Sequence, residues 1–322
     1  MNNKVLLMLD QHCDGNPASG SSNNVHNIIG SFKHCGINVP FDVFYYDECF
    51  REHGVHVDKL ISKVYEKIKP TVAIISLIGK YPGNPSIETF KFLKSKGCKV
   101  CIQWQDTGYS DSGWGAQQIE QLNDNLVDLH VAWDNPDSQF HRTWKEPSNF
   151  IRLWVPQDDK YFFKDAQRDI PVSFIGSVNT AERNQCISFL MANKVPIMVR
   201  GGQRMEQLSH EQYASFIRRS KININFPWCN GSFDQCKGRV YEALACNSLL
   251  LERKNNATNQ LFVPGKEYIE FENPQDLAQK IIHYLNNEQE RATIAENGYK
   301  KFQEKYIAKM FWTRILEDER MR

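Results

Sequence analysis

The sequence predicts an α/β protein made of two doubly wound, parallel-sheet domains. Three observations carry that expectation. Short Val/Ile-rich runs alternate with amphipathic stretches of about 10–15 residues, the signature of βαβ units. The alternation pauses near Asn149–Pro156 and then restarts. The chain has 322 residues, the usual size of two domains, and 41% of them are hydrophobic, enough to bury sizeable cores and to exclude global disorder.

Each element follows from its local pattern. Val5–Leu9 reads as a buried strand ending at Asp10, followed by a polar, glycine-containing loop through Asn24. Val25–Cys35 has helical spacing and stops at Gly36, a helix-terminating glycine. Phe41–Tyr46 is a second strand, and Val57–Ile68 a helix with an apolar stripe of Leu60, Ile61, Val64, Tyr65 and Ile68. Strand Val72–Leu77, helix Ile87–Ser95 closing on Gly97, and strands Lys99–Trp104 and Leu126–Ala132 complete the first half. Right-handed crossovers make that half a Rossmann-like domain.

The polar and aromatic stretch Pro156–Asp169 shows no sustained period and reads as a linker. Strand Val172–Ile175, helix Glu182–Ala192, strand Pro196–Val199, helix His210–Ser220 and strand Ile222–Phe226 then rebuild the alternation. Helix Arg239–Cys246, strand Leu249–Glu252 and helix Asp276–Asn286 follow, and Glu288–Arg322 is a helical tail with a break expected at Gly298. Two such domains facing each other would put a cleft between the carboxyl ends of both sheets, where ligands bind.

Composition narrows the function class. Thirty-nine Lys+Arg against 38 Asp+Glu leaves a formal charge of +1, which argues against nucleic acid or an anionic membrane as partner. A local basic pocket for phosphate stays open. No apolar run approaches the roughly 20 residues of a transmembrane helix. Met1–Lys4 leads into only the five apolar residues Val5–Leu9, too few for a signal peptide. Nine scattered cysteines suit a reducing compartment, so a cytoplasmic location is expected.

The most informative stretch is Lys237-Gly238-Arg239-Val240-Tyr241-Glu242-Ala243-Leu244-Ala245-Cys246-Asn247, with the apolar strand after it. Gly238 lets the backbone turn closely into a helix whose first N–H groups and positive dipole end suit an anion. Lys237 and Arg239 flank that end, and Glu242 is placed to accept two ribose hydroxyls. Asp234 supplies a second carboxylate eight positions before Glu242. The same pattern also describes an amphipathic surface helix whose Glu complements the dipole.

These residues resemble the C-terminal domain of retaining GT-B glycosyltransferases, with their Glu-x7-Glu motif, and most closely the group related to the spore-maturation protein CgeB, where a KGRxxEAxACG string is typical. Leu261–Tyr268 resembles that group's F-x-PGKE signature, Asn273–Leu285 and Glu288–Tyr306 its following helices, and Val172–Ser177 with Arg183 its strand–glycine–arginine entry. The likeness spans roughly 170 to 310. It implies that Glu242 binds ribose, that Asp234 contacts the donor sugar, and that Arg183, Lys237 and Arg239 face the donor diphosphate. Two departures stand out: Asp replaces Glu at 234, and Asn247 stands where glycine is usual, a position Asn tolerates better than most residues.

Further candidates come from strand ends. Trp104-Gln105-Asp106 is similar to the W-x-D of the same group, so Asp106 would face acceptor or donor, although a loop-capping aspartate fits equally. Gly201 and Gly202 end a strand of the second half, where backbone could pass close to the base, although a tight turn explains them nearly as well. Gly176 belongs to the strand–glycine–arginine entry that the resemblance places at the donor site. The loop Asp10–Asn24, with His12, Asp14, Gly15 and Gly20, is either a ligand loop or a mobile polar one. Trp228 shares a loop with Asp234 and suits sugar stacking. Cys98-x2-Cys101 has zinc-like spacing but no second pair, so no metal site is expected.

The resemblance implies a GT-B glycosyltransferase with domains 1–156 and 157–308 and tail helices, 309–322, crossing back to the N-terminal domain. The expected catalytic residues are Asp234, Arg239 and Asp106. The nucleotide-sugar donor is a substrate rather than a cofactor, and the acceptor is a carbohydrate, lipid-linked glycan or protein. No Asp-x-Asp triplet occurs, which fits a metal-independent reaction. The alternatives are a sugar-nucleotide epimerase of the same fold and a non-catalytic nucleotide-sugar-binding protein.

Overall fold

The computed structural model describes residues 4–105, 121–122, 125–133, 148–165, 167–201, 208–227 and 235–322. The chain divides into two compact units, residues 1–154 with 308–322, and residues 155–307.

In the first unit, β1 (Val5–Leu9), β2 (Phe41–Tyr45), β3 (Val72–Ser76), β4 (Lys99–Trp104), β5 (Leu129–Ala132) and β6 (Phe150–Arg152) form one parallel sheet in the order β2-β1-β3-β4-β5-β6. β1 and β3 are buried along their whole length, as their unbroken apolar runs require of strands covered on both faces. Around the sheet lie α1 (Ser31–His34), α2 (Tyr46–His53), α3 (Ile61–Ile68) and α4 (Ile87–Ser95). A π-helical turn over Val25–Gly30 leads into α1. The expected second strand stops one residue early, because Tyr46 is buried and opens α2, an element the periodicity did not announce. The expected strand at Leu126 begins only at Leu129, and β6 lies where the pattern appeared to pause.

The second unit repeats the plan. Its strands are β7 (Ile170–Ile175), β8 (Ile197–Arg200), β9 (Ser220–Asn225), β10 (Leu249–Arg253) and β11 (Ile269–Phe271), ordered β11-β10-β9-β7-β8 and parallel throughout. α5 (Ala181–Ala192) is capped by Thr180, whose side chain accepts from the Arg183 N–H. α6 (His210–Arg219) starts on a capping box of Ser209 and Gln212. α7 (Gly238–Ala245) follows β9, and the short α8 (Asn256–Asn259) follows β10. α9 (Pro274–Asn286) pairs an Asn273 cap with proline at its first turn. The segment read as a linker is packed instead: Gln157 and Asp158 are buried, and Phe162 meets the Tyr213 ring edge-on with centroids 6.2 Å apart.

α10 (Glu288–Lys305) runs unbroken through Gly298, against expectation. The glycine is there for clearance. A methyl group at 298 would overlap the Glu267 carbonyl and the Leu244 side chain, so only glycine lets the helix lie this close. α11 (Ala308–Leu316) belongs to the first unit. Phe311, Trp312 and Ile315 are fully buried, Trp312 meets Phe32 at 5.0 Å, and its indole N–H donates to the Ser31 hydroxyl at 2.9 Å.

Candidate functional site

Both sheets reverse direction between the strand that starts the unit and the third strand. In open α/β sheets a ligand crevice lies at such a switch point, outside the carboxyl ends of the strands. In the second unit the switch point falls between β7 and β9. Gly176 ends β7 there, and its N–H donates to the Arg200 carbonyl at 2.8 Å. Gly201, at φ +77, packs beside Gly176 after β8. Arg183 bridges the switch point itself, donating to the Ser177 carbonyl at 3.2 Å and the Phe226 carbonyl at 3.3 Å.

α7 enters this crevice with Gly238, Arg239 and Glu242 on its first turns. Lys237 is its N-cap in extended backbone and offers no side-chain cap to the helix N–H groups. The Lys237 ammonium donates instead to the Gln235 side-chain oxygen. A methyl group on Gly238 would make ordinary contact with Glu242 Oε1, at 3.6 Å. Arg239 lies against Gly176: a Cβ there would stand 3.3 Å from Arg239 Nη1. The guanidinium also sits 5.6 Å from the Phe174 ring centroid and 5.8 Å from that of Tyr213.

Tyr213 on α6 completes the cluster. Its hydroxyl donates to Glu242 Oε2 and accepts from Arg239 Nη2 at 3.2 Å. Burial pushes the Glu242 carboxyl above the ordinary range, while the Arg239 charge and the Tyr213 hydrogen bond pull it back. Burial works against the Arg239 charge, yet the neighbouring Tyr213 and Glu242 oxygens outweigh it and hold that pKa above its usual value. A fixed cation, a carboxylate and a helix N-terminus thus converge where a diphosphate and a diol would be read together.

The structure therefore brings Gly176, Gly201, Arg183, Lys237, Gly238, Arg239 and Glu242 to one edge of one sheet. Asp106, Gly202, Trp228 and Asp234 lie outside the described residues. Sequence reasoning missed Tyr213, which reads as one apolar position on an amphipathic helix.

The first unit has a polar cluster at its own switch point, between β1 and β3. The Asn24 amide donates to Asp10 Oδ1 at 2.6 Å and to the Ser76 hydroxyl at 3.1 Å, and the Gln105 amide donates to Asn24. Burial raises the Asp10 carboxyl, with hydrogen bonds from Ser22 and Asn24 opposing it. The loop after β1 is tied to its surroundings: the Gln11 and His12 N–H groups donate to the Asp47 carboxylate at 2.8 and 3.1 Å, and Tyr81 packs over Gly15. Among the described residues, His12 Nδ1 and Gln11 Oε1 are buried without a partner.

A groove of about 540 Å³ lies elsewhere in the second unit, lined by Lys164, Arg168, Lys221, Asn247, Arg291 and Glu296 among others. It opens at the amino ends of β7, β9 and β10, the wrong edge for the crevice. Several of its charges are already engaged: Lys164 pairs with Glu296 at 2.8 Å, Arg291 with Glu288 at 3.2 Å, and Arg168 donates to the Asn247 carbonyl at 3.1 Å.

Comparison with known proteins bears on the family and the fold. Residues 161–317 match a family described as glycosyl transferase-like. An uncharacterized glycosyltransferase of Methanocaldococcus jannaschii is 27% identical over 186 residues, 56% of this chain and 48% of that protein. The chain thus spans about half the length of that curated relative. HepE of Anabaena, solved in complex with UDP-glucose, superimposes with a TM-score of 0.64 at 12% identity, covering 97% of this chain and 98% of HepE. Sucrose-phosphate synthase of Thermosynechococcus elongatus gives a TM-score of 0.62 at 10% identity, with 98% of both chains covered. The chain has the α/β fold of GT-B glycosyltransferases, with two parallel-sheet Rossmann-like domains.

Proposed function

We propose that the protein is a glycosyltransferase that binds a nucleotide-sugar at the β7/β9 switch point and transfers the sugar to a carbohydrate, lipid-linked glycan or protein acceptor. The observation that carries this reading is the cluster of Arg239, Tyr213 and Glu242 on the glycosyl transferase-like segment, set against Gly176 at the end of β7. Glu242 accepts the ribose hydroxyls through Oε1, and Arg239 with the α7 N-terminus holds the diphosphate. As the sugar–phosphate bond breaks, negative charge grows on the leaving diphosphate, and fixed cations and N–H dipoles stabilise it without reorganising. Lys237 and Arg183 stand at the same edge and add positive potential. The complex of HepE with UDP-glucose makes UDP the first nucleotide to test.

The finer reading follows the CgeB-like resemblance: retention of configuration, no metal, and an acceptor attacking from the face the diphosphate leaves. Asp234 contacts the donor sugar, and Asp106 the acceptor or donor. The acceptor is recognised by the first unit, where Asp10, Asn24, Ser76 and Gln105 offer closely spaced hydroxyl-binding groups.

Incubation with UDP-sugars and candidate acceptors, resolved by mass spectrometry and proton NMR, tests the proposal. Transfer gives a glycosylated acceptor with the anomeric configuration retained. Release of an epimerised sugar with no transfer would favour the epimerase alternative, and binding with no turnover at all would favour the non-catalytic one.

A further inference from the structure

Arg239 and Glu242 stand three positions apart on one helix, the spacing at which opposite charges ordinarily meet. They do not meet here: among the described residues, no ion pair of 4.0 Å or less joins them. The Tyr213 hydroxyl occupies the gap, donating to Glu242 Oε2 on one side and accepting from Arg239 Nη2, at 3.2 Å, on the other. Its ring is held from behind. His210, one turn earlier on α6, stacks on it at 6.5 Å, and Phe162 meets it edge-on at 6.2 Å. The phenol therefore cannot swing away from the two charges without disturbing a buried aromatic cluster.

We propose that Tyr213 is a positioning residue that keeps Arg239 and Glu242 apart, so that the guanidinium stays available to a diphosphate and the carboxylate to a ribose. This deepens the donor-site reading above and rests on it. A direct ion pair between the two would neutralise both recognition groups and cover Oε1 of the acid. The spacer hydroxyl instead polarises each toward the ligand: it takes one hydrogen bond from the cation, gives one to the acid, and leaves the remaining donors and lone pairs open. Nucleoside and diphosphate recognition are coupled through a single oxygen atom.

The test is a double-mutant cycle on donor-product binding, read by isothermal titration with UDP, or with whichever of GDP, CDP, ADP and dTDP the wild-type protein binds. Tyr213→Phe keeps the ring and removes only the spacer oxygen. It is expected to weaken nucleotide binding about tenfold or more, the usual effect of losing a hydrogen bond to a charged group together with the site's preorganisation. In an Arg239→Gln background the same change should cost no more than about twofold, because no guanidinium remains to collapse onto Glu242. A purely structural role would weaken both backgrounds by the same factor, and that result would overturn the inference. So would wild-type affinity in Tyr213→Phe. Absence of binding by the wild-type protein to every nucleotide overturns the donor reading first, and is thereby distinguished from a failure of the spacer role alone.

Discussion

Glu242 and Arg239 are the residues on which the proposed donor site depends, and their contacts make separate predictions for binding and for folding. Both lie near the helix start, and neither fills the centre of the apolar core. Glu242→Ala and Arg239→Ala should lose nucleotide binding by about 100-fold or more while keeping the wild-type circular dichroism spectrum. Wild-type affinity in both would falsify the donor site as drawn. A different acid governs pH dependence. Glu252, fully buried at the end of β10, accepts from the Asn225 amide at 2.8 Å, and burial pushes its carboxyl up to about 8. A raised carboxyl favours folding below its unfolded pKa, and that stability is lost as pH rises toward the folded value. Glu252→Gln removes this dependence. Denaturant unfolding should show the variant gaining on wild type, by an amount on the order of 1–3 kcal/mol, between about pH 5.5 and about pH 7.5. An unchanged difference across that range would remove Glu252 as the source.

At the scale of elements, two close contacts are decisive. Gly298 lets α10 approach the Glu267 backbone, so Gly298→Ala should destabilise the protein by about 1–3 kcal/mol, measured by urea unfolding, although alanine is the better helix former. Trp312 anchors α11 in the first unit through Phe32 and Ser31. Trp312→Ala should cost about 3–5 kcal/mol and leave the Ser31 hydroxyl short of a partner. Most strands and helices were legible in the sequence because fully buried parallel strands are unbroken apolar runs, as in Val5–Leu9 and Leu249–Leu251. What escaped had weaker local signals. β6 and β11 are three residues each, too short for a period to show. Gly298 was read as a break because its reason is a tertiary contact, invisible along the chain. In the proposed site, the Lys-Gly-Arg and Glu242 positions stand out by spacing and resemblance, whereas Tyr213 does not: its contacts with Arg239 and Glu242 exist only because α6 and α7 lie side by side.

For the whole molecule, the near-zero net charge and the local cluster of cations belong together. The proposed anionic substrate needs fixed charge at one edge of one sheet rather than a charged surface, and the second unit gathers Arg183, Lys237 and Arg239 at its switch point. Among the described residues, no helix is long and apolar enough to cross a membrane. Asn247 adopts φ +55, a left-handed turn that asparagine tolerates better than most residues, and its amide donates to Glu296 at 3.1 Å. The β7/β9 switch point is proposed to bind a nucleoside diphosphate through protein groups. The most direct test is a thermal-shift panel of UDP, GDP, CDP, ADP and dTDP, each with and without magnesium, on the wild-type protein and on Glu242→Ala. One nucleotide should raise the wild-type melting temperature without magnesium, by the equivalent of about 2.7 kcal/mol at a hundredfold excess over its dissociation constant, and leave the variant unmoved. No shift with any nucleotide, or an equal shift in Glu242→Ala, would contradict it.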